Sequence, residues 1–129
     1  MREWSKTWKA SKQPGKQRKY RKNAPLHIKR KFLAVNLTKE LQKKYRRRSA
    51  LVRKGDKVKI LRGENKKKTG KVLKVDTTKG KVFVEGIEQV RKDGTRTQRS
   101  LEPSKIQIIE LELNDQKRKN ALEKSGGVK

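Results

Sequence analysis

The pattern of apolar and polar positions changes character three times along the chain. Residues 1–24 show no apolar period: Trp4, Trp8 and Tyr20 stand isolated among Lys, Arg, Ser, Gln and Gly. Pro14-Gly15 is expected to break any helix there, so the segment reads as a basic extended arm. Residues 25–50 read as a short helical region. Pro25 suits a first helical turn, Ile28 and Phe32 are i,i+4 neighbours, and a second helix is expected after Thr38, with Leu41 and Tyr45 on its buried side. From Lys54 the period becomes two. Strands are expected at Asp56–Ile60, Gly70–Val75, Lys81–Glu85, Thr95–Leu101 and Lys105–Leu113, the fourth entered through the turn Lys92-Asp93-Gly94. In the last, Ile106 and Ile108 alternate, then Ile109, Leu111 and Leu113 run one step out of phase, which predicts a bulge.

Short strands joined by Gly-containing turns over residues 51–113 predict a small, closed or partly closed β-barrel. Its expected core is Val58, Ile60, Val72, Val75, Val82, Val84, Ile87, Ile106 and Ile108. Residues 114–129 read as a charged helix over Asp115–Lys124 and a tail. The fold class is mainly β: one barrel with basic, partly helical N-terminal and C-terminal extensions.

Composition narrows the function. Of 129 residues, 40 are Lys or Arg and 13 are Asp or Glu, a net charge of +27, and only 29% are hydrophobic. Self-repulsion on this scale calls for a polyanionic partner, and neutralised phosphates release counterions, which converts cation density into affinity for nucleic acid. A solvated face accounts for any single charge run, but not for basic residues from end to end. No basic amphipathic helix with a broad apolar face suggests a membrane surface, and no apolar stretch is long enough for a membrane span or a signal sequence. The Lys bias of the N-terminus argues against a transit peptide. Asn36-Leu37-Thr38 matches a glycosylation sequon and is read instead as a loop with Thr38 as a helix cap.

Catalytic and metal chemistry find little support. There is no cysteine and one histidine, His27, with no second ligand at metal spacing and no Ser-His-Asp arrangement or isolated acidic pair. No cofactor, metal, small-molecule substrate or enzymatic activity is expected. Gly63 to Gly70-Lys71 fails as a phosphate loop, because its glycines are too far apart and Val72 stands where Ser or Thr would bind magnesium. Lys79–Val84 fails as an RNA-recognition motif, since lysine occupies the aromatic position at 81.

The informative stretch is Arg53–Val75. A turn at Gly55-Asp56 leads into a strand, Gly63 permits a tight loop with positive φ, Lys66, Lys67 and Lys68 form its tip, and Gly70 returns the chain to a second strand. A basic loop held between two strands is well built to meet a phosphate backbone. This segment resembles the KOW motif. With Asn23–Lys31, Leu37–Tyr45 followed by Arg48-Ser49, and Pro103–Ile106, the chain is similar, from about Asn23 to about Glu123, to the universal large-subunit ribosomal protein twenty-four family in its archaeal and eukaryotic form (the eukaryotic counterpart is numbered twenty-six). Two departures stand out: Lys67 replaces a glycine frequent in the loop, and Glu102 stands where His often precedes Pro-Ser.

The resemblance implies an SH3-like barrel, a structural, non-enzymatic role in the cytoplasmic large ribosomal subunit, early action in its assembly and a place near the nascent-peptide tunnel exit. The implied partners are large-subunit ribosomal RNA and neighbouring ribosomal proteins. The expected RNA contacts are Lys12, Lys16, Arg18, Lys19, Tyr20, Arg21 and Lys22 in the arm; His27, Lys29, Arg30, Lys31, Lys43, Lys44, Arg46, Arg47 and Arg48 in the helical region; and Lys54, Arg62, Lys66, Lys67, Lys68 and Lys71 around the KOW loop. Two rival readings are a transcription-elongation KOW module, which normally requires a second domain, and a chromatin-like DNA-binding barrel, which needs no helical N-terminal region.

Overall fold

The structure is a computed structural model that describes residues 4, 5, 7, 8 and 10–125. It begins with helix α1 (Pro14–Asn23), then α2 (Leu26–Lys29), which continues into a 3₁₀ turn over Arg30–Leu33. Strand β1 (Ala34–Leu37), helix α3 (Lys39–Tyr45) and strand β2 (Ser49–Leu51) follow, then β3 (Lys57–Ile60), β4 (Thr69–Asp76), β5 (Lys81–Val90) and β6 (Arg96–Leu101). A 3₁₀ turn at Pro103–Lys105 leads into β7 (Ile106–Glu110), and helix α4 (Gln116–Ser125) completes the described chain.

The mainly β class with helical extensions holds, but the strands form one seven-stranded sheet, ordered β2-β1-β7-β3-β4-β5-β6, that does not close into the expected barrel. Its end strands are poorly suited to a closing ladder: β2 has three residues, and β6 exposes Arg96, Gln98, Arg99 and Ser100. Register breaks at Lys57/Val58, Val72/Lys74 and Phe83/Glu88 mark bulges or irregularities, which add local bend and twist. The first is the expected bulge in β7: Val58 pairs with Ile108 and Lys57 with Glu110, which leaves Ile109 unpaired between them. All pairings among the described strands are antiparallel except β1–β7.

One core unites both halves of the sheet. Of the expected core residues, all but Val75 are buried, and Val75 packs against the cluster half-buried. Leu33, Val35, Leu37, Tyr45, Ala50, Val52, Leu101 and Leu122 join them, so the segment expected to supply only helices contributes much of the apolar interior. Each large aliphatic side chain sealed here contributes on the order of 1.5–3 kcal/mol. Strands β1 and β2 went unforeseen because three or four residues carry too little period-two signal between helical flanks. Asn36, read as a loop residue, lies in β1.

Further local corrections concern helix ends. Pro14 starts α1 instead of breaking it, since a proline at the first helical position has no N–H to leave unpaired. Thr38 takes the cap position of α3 but makes no side-chain capping bond. Asp115 lies just outside α4, where its Oδ1 accepts the Lys117 N–H at 3.0 Å, an N-cap interaction.

Gly70 shows why the motif returns through glycine. A Cβ there would lie 2.7 Å from the Glu85 carbonyl oxygen and 2.9 Å from Val84 Cγ1, so β4 and β5 approach more closely than any side chain allows.

Candidate nucleic-acid interface

The β3–β4 loop is braced by its own backbone. Lys67 N–H donates to the Ile60 carbonyl at 2.8 Å, Ile60 N–H to that of Lys68 at 2.9 Å, and Lys66 and Lys68 close turns onto Gly63 and Asn65. Gly63 has φ +96°, the positive φ that a glycine there permits. Lys67 also sits in the left-handed region, at φ +72°, so the lysine standing in place of a frequent glycine keeps a backbone conformation that glycine favours. The Lys66, Lys67 and Lys68 side chains are exposed, and Lys68 Nζ reaches Asn65 Oδ1 at 3.0 Å. Nearby, Arg99 pairs with Glu64 at 2.9 Å.

The Gly55-Asp56 turn has a larger task than entering a strand. The Asp56 carboxylate is fully buried and faces Arg118 of α4, itself only 6% exposed. Two parallel bonds of 2.6 Å join the guanidinium to the two carboxylate oxygens. Oδ2 also accepts the Arg53 N–H at 3.0 Å and Oδ1 the Glu112 N–H at 2.9 Å, while Arg118 donates to the Glu112 and Leu51 carbonyls at 2.8 and 2.9 Å. The network ties β2, the turn, the segment after β7 and α4 to one another. The Arg53 side chain, on the surface, pairs with Asp115. That hydrogen bond, and then the Lys117 N–H, hold the Asp115 carboxyl below the usual carboxylate range.

The N-terminal cations cover α1. Lys12, Lys16, Arg18, Lys19, Arg21 and Lys22 are all exposed. Tyr20 is engaged within the arm: the Trp8 ring stacks on it at 4.7 Å between centroids and the Trp4 ring lies tilted at 5.4 Å. Arg21 sits 4.9 Å over the Phe32 ring, a cation–π contact that fixes α1 against the 3₁₀ turn. His27, Arg30 and Lys31 are exposed and Lys29 is half-buried; Lys43, Lys44, Arg46 and Arg48 are exposed around the end of α3, with Arg47 half-buried. Lys54, Arg62 and Lys71 project from the turn, the loop and β4.

The structure gathers Arg21, Lys22 and Lys29 at a cleft of about 680 Å³, together with Lys79 of the β4–β5 turn and Lys81 at the start of β5. Glu102 lies in the same cleft, bonded to Lys81 at 3.2 Å. Lys81, with Lys105 and Arg21 beyond, holds its carboxyl below the ordinary range. Lys79, Lys81, Arg99 and Lys105 were not among the sequence candidates, because alternation in a strand does not reveal which helix lies opposite. Among the described residues no group of three or more His, Cys, Asp or Glu side chains could hold a metal ion, and no helix is long and apolar enough to cross a membrane.

The lysine loop expected from the resemblance is present, on an open sheet in place of the implied barrel, and residues 11–125 match the model of the ribosomal proteins numbered twenty-six in eukaryotes and twenty-four in archaea. The chain belongs to that family. Among its relatives, the large ribosomal subunit protein uL24 of Methanothrix thermoacetophila is 47% identical over 108 residues, which cover 84% of this chain and 93% of the relative. That of Methanosarcina barkeri is 45% identical over 114 residues, 88% of this chain and 98% of the relative. Membership of a family of ribosomal constituents carries the non-enzymatic reading.

Proposed function

We propose that this protein is a structural constituent of the large ribosomal subunit that binds large-subunit ribosomal RNA among neighbouring ribosomal proteins. The observation that carries the reading is the braced β3–β4 loop: three adjacent lysines on a backbone fixed by hydrogen bonds present charge without a large ordering cost on binding. Exposed cations on α1, around α3 and along the sheet extend the contact, mostly to phosphate and sugar and to RNA shape. Action early in subunit assembly, and a position near the nascent-peptide tunnel exit, belong to the same reading and rest on family membership.

The test has two parts. In a native lysate the protein should sediment with large subunits; co-migration with polymerase or with chromatin would support the elongation or DNA-binding readings instead. In vitro, log affinity for a structured ribosomal RNA transcript should fall linearly with log salt, by roughly 0.7–0.9 per phosphate contact. Replacing Lys66, Lys67 and Lys68 with alanine should flatten that slope without lowering the melting temperature. An unchanged slope would remove the loop from the interface.

A further inference from the structure

The cleft between α1–α2 and the β4–β5 turn does not stand alone. A second, smaller hollow of about 120 Å³ opens beside the β3–β4 loop, lined in part by Arg62, Arg99 and Lys105, and it shares Lys81 and Glu102 with the first. The two hollows therefore meet at the Lys81–Glu102 ion pair. Together they make a basic groove that runs from the N-terminal helices past the β4–β5 turn to the lysine loop. We propose that this groove seats a single phosphodiester strand of RNA, and that Glu102 holds Lys81 in the place a backbone phosphate takes on binding. The proposal rests on the RNA-binding reading and assigns it a path.

Four observations favour this occupant. The first hollow sets five cations against one carboxylate, a balance that leaves a dianionic or longer ligand room for one contact per charge. Its volume falls in the range of small-molecule sites, but those are mostly apolar and aromatic, whereas Phe32, Ala34 and Pro103 are the apolar side chains here and Arg21 lies over Phe32. Hydroxyls of Thr77, Thr78 and Ser104 share the lining with the cations, which suits phosphate and ribose oxygens. Finally, Glu102 Oε1 accepts from Lys81 at 3.2 Å, and Lys81, with Lys105 and Arg21 beyond, holds this carboxyl below its ordinary range. A carboxylate so placed already does in part what a phosphate would do, and it must lose Lys81 when a phosphate arrives.

The experiment uses the full chain and a structured large-subunit ribosomal RNA transcript, with binding followed across a salt series. Lys22→Ala with Lys79→Ala removes two exposed cations from opposite walls of the cleft. The slope of log affinity against log salt should become shallower by roughly 1.4–1.8. Lys119→Ala with Lys124→Ala removes the same charge from α4 and should change the slope by less than half as much. Glu102→Gln frees Lys81 from its carboxylate and should tighten binding several-fold at moderate salt. Wild-type binding with an unaltered slope in the cleft variant, a loss no greater than in the α4 variant, or weaker binding by Glu102→Gln would overturn the groove while leaving RNA binding itself intact. Failure of the wild-type chain to bind the transcript would overturn both. Displacement of the transcript by a poly-glutamate peptide, lost in the cleft variant, would assign the groove to an acidic protein segment instead.

Discussion

Arg118→Met tests the buried ion pair that joins α4 to the Gly55-Asp56 turn. Methionine fills much of the volume but donates nothing. The Asp56 carboxylate, fully buried, would keep only the Arg53 and Glu112 N–H groups, at 3.0 and 2.9 Å, and would lose both guanidinium bonds of 2.6 Å. The Leu51 and Glu112 carbonyls would lose a donor as well. Breaking a buried pair by removing one partner costs roughly 3–5 kcal/mol, because an uncompensated charge is left behind. With an unfolding entropy of about 2.1 cal/mol/K per residue over 129 residues, that corresponds to a melting point roughly 11–18 °C lower. Asp56→Leu added to Arg118→Met removes the stranded charge and should recover a substantial part of the loss, a non-additivity of contacting residues. Circular-dichroism melting and urea titration of Arg118→Met, Asp56→Leu and the double variant measure both quantities. A single variant melting within two or three degrees of wild type, or a double variant whose loss equals the sum of the singles, would refute the argument that the pair anchors the fold.

Other outcomes follow from local geometry. Gly70→Ala should destabilise by about 1–3 kcal/mol in denaturant titration, since the new Cβ meets the Glu85 carbonyl at 2.7 Å and β4 must move away from β5. Lys67→Gly should stabilise the chain by up to roughly 1 kcal/mol, because relief of the left-handed backbone outweighs the added flexibility of glycine; a destabilised variant would count against the loop conformation. For pH, the Arg53–Asp115 and Lys81–Glu102 pairs have carboxyls held below their ordinary values. Groups so shifted contribute stability above the unfolded-state value and lose it as pH falls through the folded one. Melting temperature should therefore be insensitive to these pairs from neutrality down to the ordinary carboxylate range and fall below it, with Asp115→Asn and Glu102→Gln reducing the slope of that fall.

Strands β3 and β5 were legible because one face of β3 and of the first half of β5 is buried, so Val58, Ile60, Val82 and Val84 alternate with lysines and other less buried residues. Even the bulge at Ile109 was visible as a slip in phase. β1 and β2 were not, because Ala34–Leu37 and Ser49–Leu51 are too short to outweigh the helical signals around them. The partnership of Asp56 with Arg118 spans 62 positions, and no local period encodes it. Exposed cations could be read as charge, but their grouping could not. That Lys29 and Lys79 border one cleft depends on how α2 settles against the β4–β5 turn.

The order of strands in the sheet also bears on how the chain is made. β7 occupies an interior position, with β1 on one side and β3 on the other, yet it is the last strand to leave a translating ribosome. Asn36 cannot meet Gln107, nor Ile60 meet Ile106, until nearly the whole chain has emerged. Before then the β1–α3–β2 unit and the β3–β6 meander are separate pieces, each with an unpaired edge and an uncovered apolar face. Their union is a late, long-range event of the kind that folds slowly. A nascent chain stalled before residue 106 therefore presents two sticky half-sheets on a strongly cationic polymer, and the insertion of one five-residue strand turns them into a single domain.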